Sequence, residues 1–238
     1  MPLPKISTPT YELEIPSTKK KIRYRPFLVK EEKILIIAME SQSDTEIANA
    51  VKDVLSTCIL TKGVKVDTLS TFDIEYLFLN IRGKSVGEDV EVLVTCPDDN
   101  KTKVPVRINL DDIKIITHND HKRDIKLDDS LLMRMRYPSI NEFIKSNFST
   151  SEVKSEDTFD LIISCIEQIY NNEESWSTSD CTKEEMNDFL DQLNSNQFKE
   201  IEKFFDTMPK LSHTLTVINP NTKVKSDIKL EGLAAFFA

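Results

Sequence analysis

The sequence predicts an α+β fold in which antiparallel hairpins and a small central sheet are flanked by helices. Three observations predict it. Apolar residues recur at helical spacing from about 30 to 81, alternate one by one from 86 to 110, and return to helical spacing between 157 and 205. Polar, proline-containing turns divide the alternating stretches. The central strands are short and follow one another directly, which favours antiparallel pairing over crossover units.

The first element is a hairpin, Tyr11 to Ile15 and Lys21 to Phe27, turned by Pro16-Ser17-Thr18-Lys19. Alternation puts Arg23 and Arg25 on one face of its second strand and Ile22 and Tyr24 on the other, and Pro26 ends the strand. A helix over Lys30 to Ser41 follows, with Glu31 and Glu32 near its positive N-terminal end and Ile34, Ile37 and Ala38 expected as its buried side. Ser43 or Asp44 caps a second helix running to Cys58, and Gly63 closes that region. A third helix spans about Thr71 to Ile81.

From Val86 the period becomes two. Val90, Val92 and Val94 lead into the turn Cys96-Pro97-Asp98-Asp99-Asn100 and back through Val104 to Leu110. The strand-like runs Ile113 to Ile116, Arg123 to Leu127 and Leu131 to Tyr137 are expected to extend this hairpin into one sheet. Helices are then predicted over Ser139 to Phe148 and Asp157 to Asn171, with a linker over Ser149 to Glu156 and a polar stretch over Asn172 to Cys181. The capping box Thr182-Lys183-Glu184-Glu185 starts a further helix, Asn194-Ser195-Asn196 interrupts it, and Pro209 ends the helical region. A last hairpin, around Thr214 to Gly232, repeats the proline-containing tip of the middle one, with Asn219 where the first has Cys96, and a short helix ending in Phe236-Phe237 follows. The expected division is 1–148 and 149–238, unless the chain forms one continuous domain.

Composition narrows the function. The chain has 238 residues, 39% hydrophobic and 30% charged, enough for a substantial core and without an apolar run long enough to cross a bilayer. No apolar leader opens the sequence, so a reducing cytoplasm and free thiols are expected. A net charge of −9 argues against nucleic acid or an anionic membrane as the main partner. Four glycines are too few for a phosphate-cradling loop.

No catalytic constellation emerges. His118 and His121 read as exposed loop residues with no third ligand nearby. Cys96-Pro97 occupies the place of a zinc knuckle but lacks the second thiolate, so no metal and no cofactor are expected; an adaptor built on degenerate zinc-ribbon-like hairpins remains the alternative. The acidic pairs Asp98-Asp99, Asp111-Asp112 and Asp128-Asp129 are ordinary turn residues. Interaction surface remains. Arg23, Tyr24, Arg25 and Phe27 combine residue types enriched at interfaces, the equal alternative being that Tyr24 and Phe27 face the core while the arginines pair with Glu31, Glu32 or other acids, and Leu233, Phe236 and Phe237 form a second apolar candidate.

Three blocks carry a resemblance: Lys21 to Ser41, Phe72 to Gly87, and the closing segments Phe204 to His213 and Leu230 to Phe237. Together they resemble the baseplate hub family of T-even-type contractile-tailed phages. The resemblance implies a non-enzymatic structural or assembly protein of the tail baseplate hub. Its partners would be other hub or tail proteins rather than nucleic acid or membrane. Its place would be the virion tail baseplate, or the host cytoplasm during tail assembly.

Overall fold

Residues Tyr11–Glu14 (β1) and Lys21–Tyr24 (β2) pair antiparallel, Leu13 opposite Ile22 and Glu12 opposite Arg23, in the computed structural model, which describes residues 6–142 and 155–232. The pleat sends Ile22 and Tyr24 into the core and leaves Lys21 and Arg23 outside. Helices α1 (Val29–Glu40), α2 (Asp44–Cys58) and α3 (Thr71–Val86) follow. Ser43 caps α2 by accepting from the Glu46 amide at 3.4 Å. Asp73, fully buried in the first turn of α3, accepts from the Ser17 amide at 2.9 Å and from the hydroxyls of Ser17 and Ser70. Those three donors offset the cost of burying a carboxylate and pin the β1–β2 turn to α3.

Strands β3 (Asp89–Thr95) and β4 (Lys103–Asn109) form a two-stranded hairpin, with Val90, Val92, Val94 and Ile108 buried. The expected single central sheet is divided. Strand β5 (Lys114–Ile116) pairs with β10 (Lys210–Ile218), which also pairs with β11 (Lys225–Glu231). Strands β6 (Asp124–Lys126) and β7 (Leu132–Met135) join β8 (Ile166–Tyr170) and β9 (Ser175–Ser177) in a four-stranded antiparallel sheet. The fold class is α+β, with every paired strand among the described residues antiparallel.

The expected helix over 157–171 is corrected in its second half. Helix α4 is Ser155–Cys165, and the chain turns to strand at Ile166. Ile162, Ile163, Ile166 and Ile169 satisfy helical spacing, but Ile166 and Ile169 pair with Met135 and Met133 of β7, where β-branched side chains pack well. The polar stretch 172–181 likewise contains β9 and a 3₁₀ turn at Thr178–Asp180. Helix α5 (Lys183–Asp191) begins as expected at the capping box of Thr182 and Glu185, and the expected interruption at Asn194-Ser195-Asn196 is the N-cap and first turn of helix α6 (Ser195–Thr207), Asn194 accepting from the amides of Asn196 and Gln197.

The chain packs as two compact units, Met1–Ile116 with Lys210–Ala238, and Thr117–Pro209. The expected boundary at 148, most of the helix to Phe148, most of the 149–156 linker and the terminal helix lie outside the described residues. In the first unit Val90, Val92, Val94 and Ile108 pack with Leu211, Leu215 and Val217. In the second, Met133, Met135, Ile162, Ile166, Ile201 and Phe204 share one core.

Candidate partner-binding surface

Strand β2 ends at Tyr24, and the four residues expected there as an interface separate. Tyr24 is 3% and Phe27 8% exposed, so both belong to the core. The Phe27 amide donates to Ser85 Oγ at 2.9 Å. Arg25 turns inward: its Nη2 donates to Glu31 Oε1 at 2.8 Å and its Nη1 to the Pro26 carbonyl at 2.8 Å. Glu31 also accepts from the Leu28 amide at 2.8 Å, closing the first turn of α1. Burial alone would raise the Glu31 pKa, but Arg25, the Leu28 amide and Lys30 outweigh it and hold the carboxyl down at about 2. Arg25 is therefore an internal clasp. Of these four candidates, only Arg23 keeps an exposed side chain. Leu233, Phe236 and Phe237 lie outside the described residues.

Helix α1 supplies a surface that the sequence reading placed in the core. It buries Glu31 and Ala38, while Val29 and Ile37 are each 66% exposed and Leu28, Ile34, Ile36 and Met39 are exposed with them. A helix needs one apolar stripe to dock on its own core, and between Ile34 and Met39 α1 is apolar all round. The signal was present in Ile34-Leu35-Ile36-Ile37-Ala38-Met39, which holds more apolar side chains than one buried face accommodates. An exposed apolar group of this size on a helix with a firmly clasped N-terminus is suited to burial against another protein.

The other candidates resolve into structural contacts. His121 is half-buried rather than an exposed loop residue: its Nδ1 lies 3.0 Å from Thr207 Oγ1 and its Nε2 3.0 Å from the Tyr137 hydroxyl, with Phe204 beside the ring. Thr207 already donates to the Lys203 carbonyl, so Nδ1 donates to Thr207 and Nε2 accepts from Tyr137. Burial lowers the pKa of this histidine. Cys58 and Cys165 end α2 and α4 inside the cores, where burial pushes their thiols up to about 11 and about 12. These are packing groups without the thiolate character of a nucleophile.

The two proline-containing tips meet. Asn219 Nδ2 lies 3.0 Å from both carboxylate oxygens of Asp98, the Thr222 hydroxyl donates to the same carboxylate, and Asn221 Nδ2 donates to Thr102 Oγ1 at 3.0 Å. The Thr222 and Asn219 hydrogen bonds hold Asp98 below the usual carboxylate range. Hydrogen bonds thus join the two tips at the level where a zinc ribbon places its ligands. Among the described residues, no group of three or more His, Cys, Asp or Glu is arranged to hold a metal.

No curated protein and no solved structure matches the chain. The family model described as T4 bacteriophage base plate protein matches residues 8–238, taking in β1, α1, both hairpin tips and the whole of the second unit. A match that runs through both compact units covers the architecture as a whole, and the chain belongs to the T4 bacteriophage base plate protein family.

Proposed function

We propose that this baseplate protein is a non-enzymatic component or assembly factor of the central hub of the tail baseplate, and that it binds other hub or tail proteins through the exposed face of α1. The observation that carries the reading is that face: Val29, Ile36, Ile37 and Met39 stand in solvent on a helix whose base is fixed by Arg25 and Glu31. Burying such side chains against a partner contributes roughly 1.5–3 kcal/mol each when the burial is complete, enough for a few residues to dominate an interface.

Ile36→Asp with Ile37→Asp tests it. Both positions are exposed, so the urea midpoint of the purified protein should change little, while a phage carrying the double substitution should yield few complete tails by electron microscopy. Normal tails from a normally folded double variant would overturn the assignment of α1. Arg23→Glu, examined in parallel, reports on the exposed remnant of the β2 face. Cryo-electron microscopy of intact virions distinguishes a resident hub subunit from a factor that leaves after assembly.

A further inference from the structure

Arg25 and Arg136 are held in the same way. Arg136 Nη2 donates to Glu142 Oε1 at 2.5 Å and Nη1 to Oε2 at 3.0 Å, six residues along the chain, the separation between Arg25 and Glu31. Arg136 Nη1 reaches the carbonyl of the next residue, Tyr137, at 3.4 Å, as Arg25 Nη1 reaches that of Pro26. The Ser139 amide donates to Glu142 Oε2 at 2.8 Å, as the Leu28 amide does to Glu31.

The correspondence continues outward from the arginines. The Arg25 amide donates to the Cys58 carbonyl at 3.0 Å and the Arg136 amide to the Cys165 carbonyl at 2.7 Å, each buried cysteine being the last residue of its helix. Tyr24, just before the first arginine, bridges Ile59 antiparallel; Met135, just before the second, pairs with Ile166. Both preceding strands close a hairpin in which an arginine faces an acid, Arg23 opposite Glu12 and Arg134 opposite Asp124. Downstream, a three-residue 3₁₀ turn stands before the N-cap of the next helix in each unit, Val66–Thr68 before Ser70 and Thr178–Asp180 before Thr182. The third helical residue after each cap is an acid bonded to that cap, Asp73 to Ser70 and Glu185 to Thr182.

We infer that the protein contains two copies of one folding module, a hairpin, an arginine–glutamate clasp at a helix start, a helix ending in a buried cysteine, a return segment pairing back to the hairpin and a capped helix, each copy closed by its own clasp and each opening independently of the other. One shared hydrogen bond would be coincidence. The same side-chain, main-chain and capping bonds in the same order along both units specify one structure twice. The hairpin β3–β4 and the sheet β5–β10–β11 are additions to the first copy, β9 and α6 are additions to the second, and each copy starts a helix at its clasp, at Val29 in the first and Ile140 in the second.

Hydrogen–deuterium exchange on the full chain tests the inference. Arg25→Met should speed exchange across 11–86 and leave the protection of 124–135 and 195–207 at the parent level, and Arg136→Met should do the reverse. Acceleration of both halves by either substitution, or of neither, would overturn it. Where a methionine variant does not fold, Arg25→Lys and Arg136→Lys replace it under the same criterion, because lysine retains the charge but cannot span both carboxylate oxygens and the carbonyl. Leu28→Ser provides a second measurement. Ser139 Oγ donates to Glu142 Oε2 at 2.8 Å, so a serine at the matching position 28 should make that bond to Glu31, slow exchange at the start of α1 and raise the urea midpoint. A lowered midpoint would show that the two positions are not equivalent.

Discussion

Glu31 and Arg25 show how a charged pair can be structural although its sequence context reads as an interface. Their side chains are 3% and 14% exposed, and each has its partner within 2.8 Å. Removing Arg25 leaves the buried Glu31 carboxylate with only the Leu28 amide and the exposed Lys30, so Arg25→Met should cost about 3–5 kcal/mol by urea unfolding at pH 7. The pH dependence follows from the depressed folded-state pKa. Glu31 binds a proton more readily unfolded, near 4.5, than folded, near 2, so the clasp stabilises fully above about pH 5 and progressively less as pH falls toward 2. The stability difference between Arg25→Met and its parent should therefore be largest near neutrality and shrink below pH 4. A difference that stays constant down to pH 3 would show that the ion pair contributes nothing through charge. From sequence, the position of Arg25 on the exposed strand face was a sound alternation argument. The same residues also allowed the arginines to pair with Glu31 or Glu32, and sequence could not choose between the two because Arg25 meets Glu31 only once β2 has ended and α1 has begun.

At the scale of elements, the helix starts at Ser43 and at Thr182 with Glu185 were legible because caps are local and act within three residues of themselves; the same local chemistry at Asn194 was read as an interruption. Hairpins were legible for the same reason. The pairing of β5 with β10 was not, because Lys114 and Ser212 become neighbours only through tertiary packing. Likewise, the change from helix to strand at Ile166 was hidden in a run of isoleucines that fits both periods. The α1 surface was misread from the opposite cause: an apolar helix was assumed to need burial within its own chain. The joined hairpin tips make the next prediction. Asn219 is 1% exposed, donates through Nδ2 to both carboxylate oxygens of Asp98 and accepts at Oδ1 from the Asn221 and Thr222 amides, so Asn219→Ala should lower stability by about 1–3 kcal/mol, measured by urea unfolding. Addition of a strong chelator should not reproduce that loss, since no metal joins the tips in this account. A chelator-induced loss of similar size would revive the zinc-ribbon alternative.

On the scale of the whole molecule, the second unit is inserted into the first at a place where the strands on either side are already partners: Ile116 of β5 stands opposite Lys210 of β10. Replacing residues 117–209 by Asn-Gly would leave a two-residue connection between directly paired positions, the length preferred by tight hairpins. The shortened chain should unfold cooperatively and keep the β-sheet signal of the first unit; a chain that stays unstructured would mean that the inserted unit is required for the first to fold. The same insertion sets an order of events during synthesis. The contiguous unit has its whole sequence available once Pro209 has emerged, whereas the unit begun first must wait for Leu211, Leu215 and Val217 to cover the apolar side of β3 and β4. Its valines therefore remain uncovered for much of translation, so the residues made first belong to the part of the protein that is finished last.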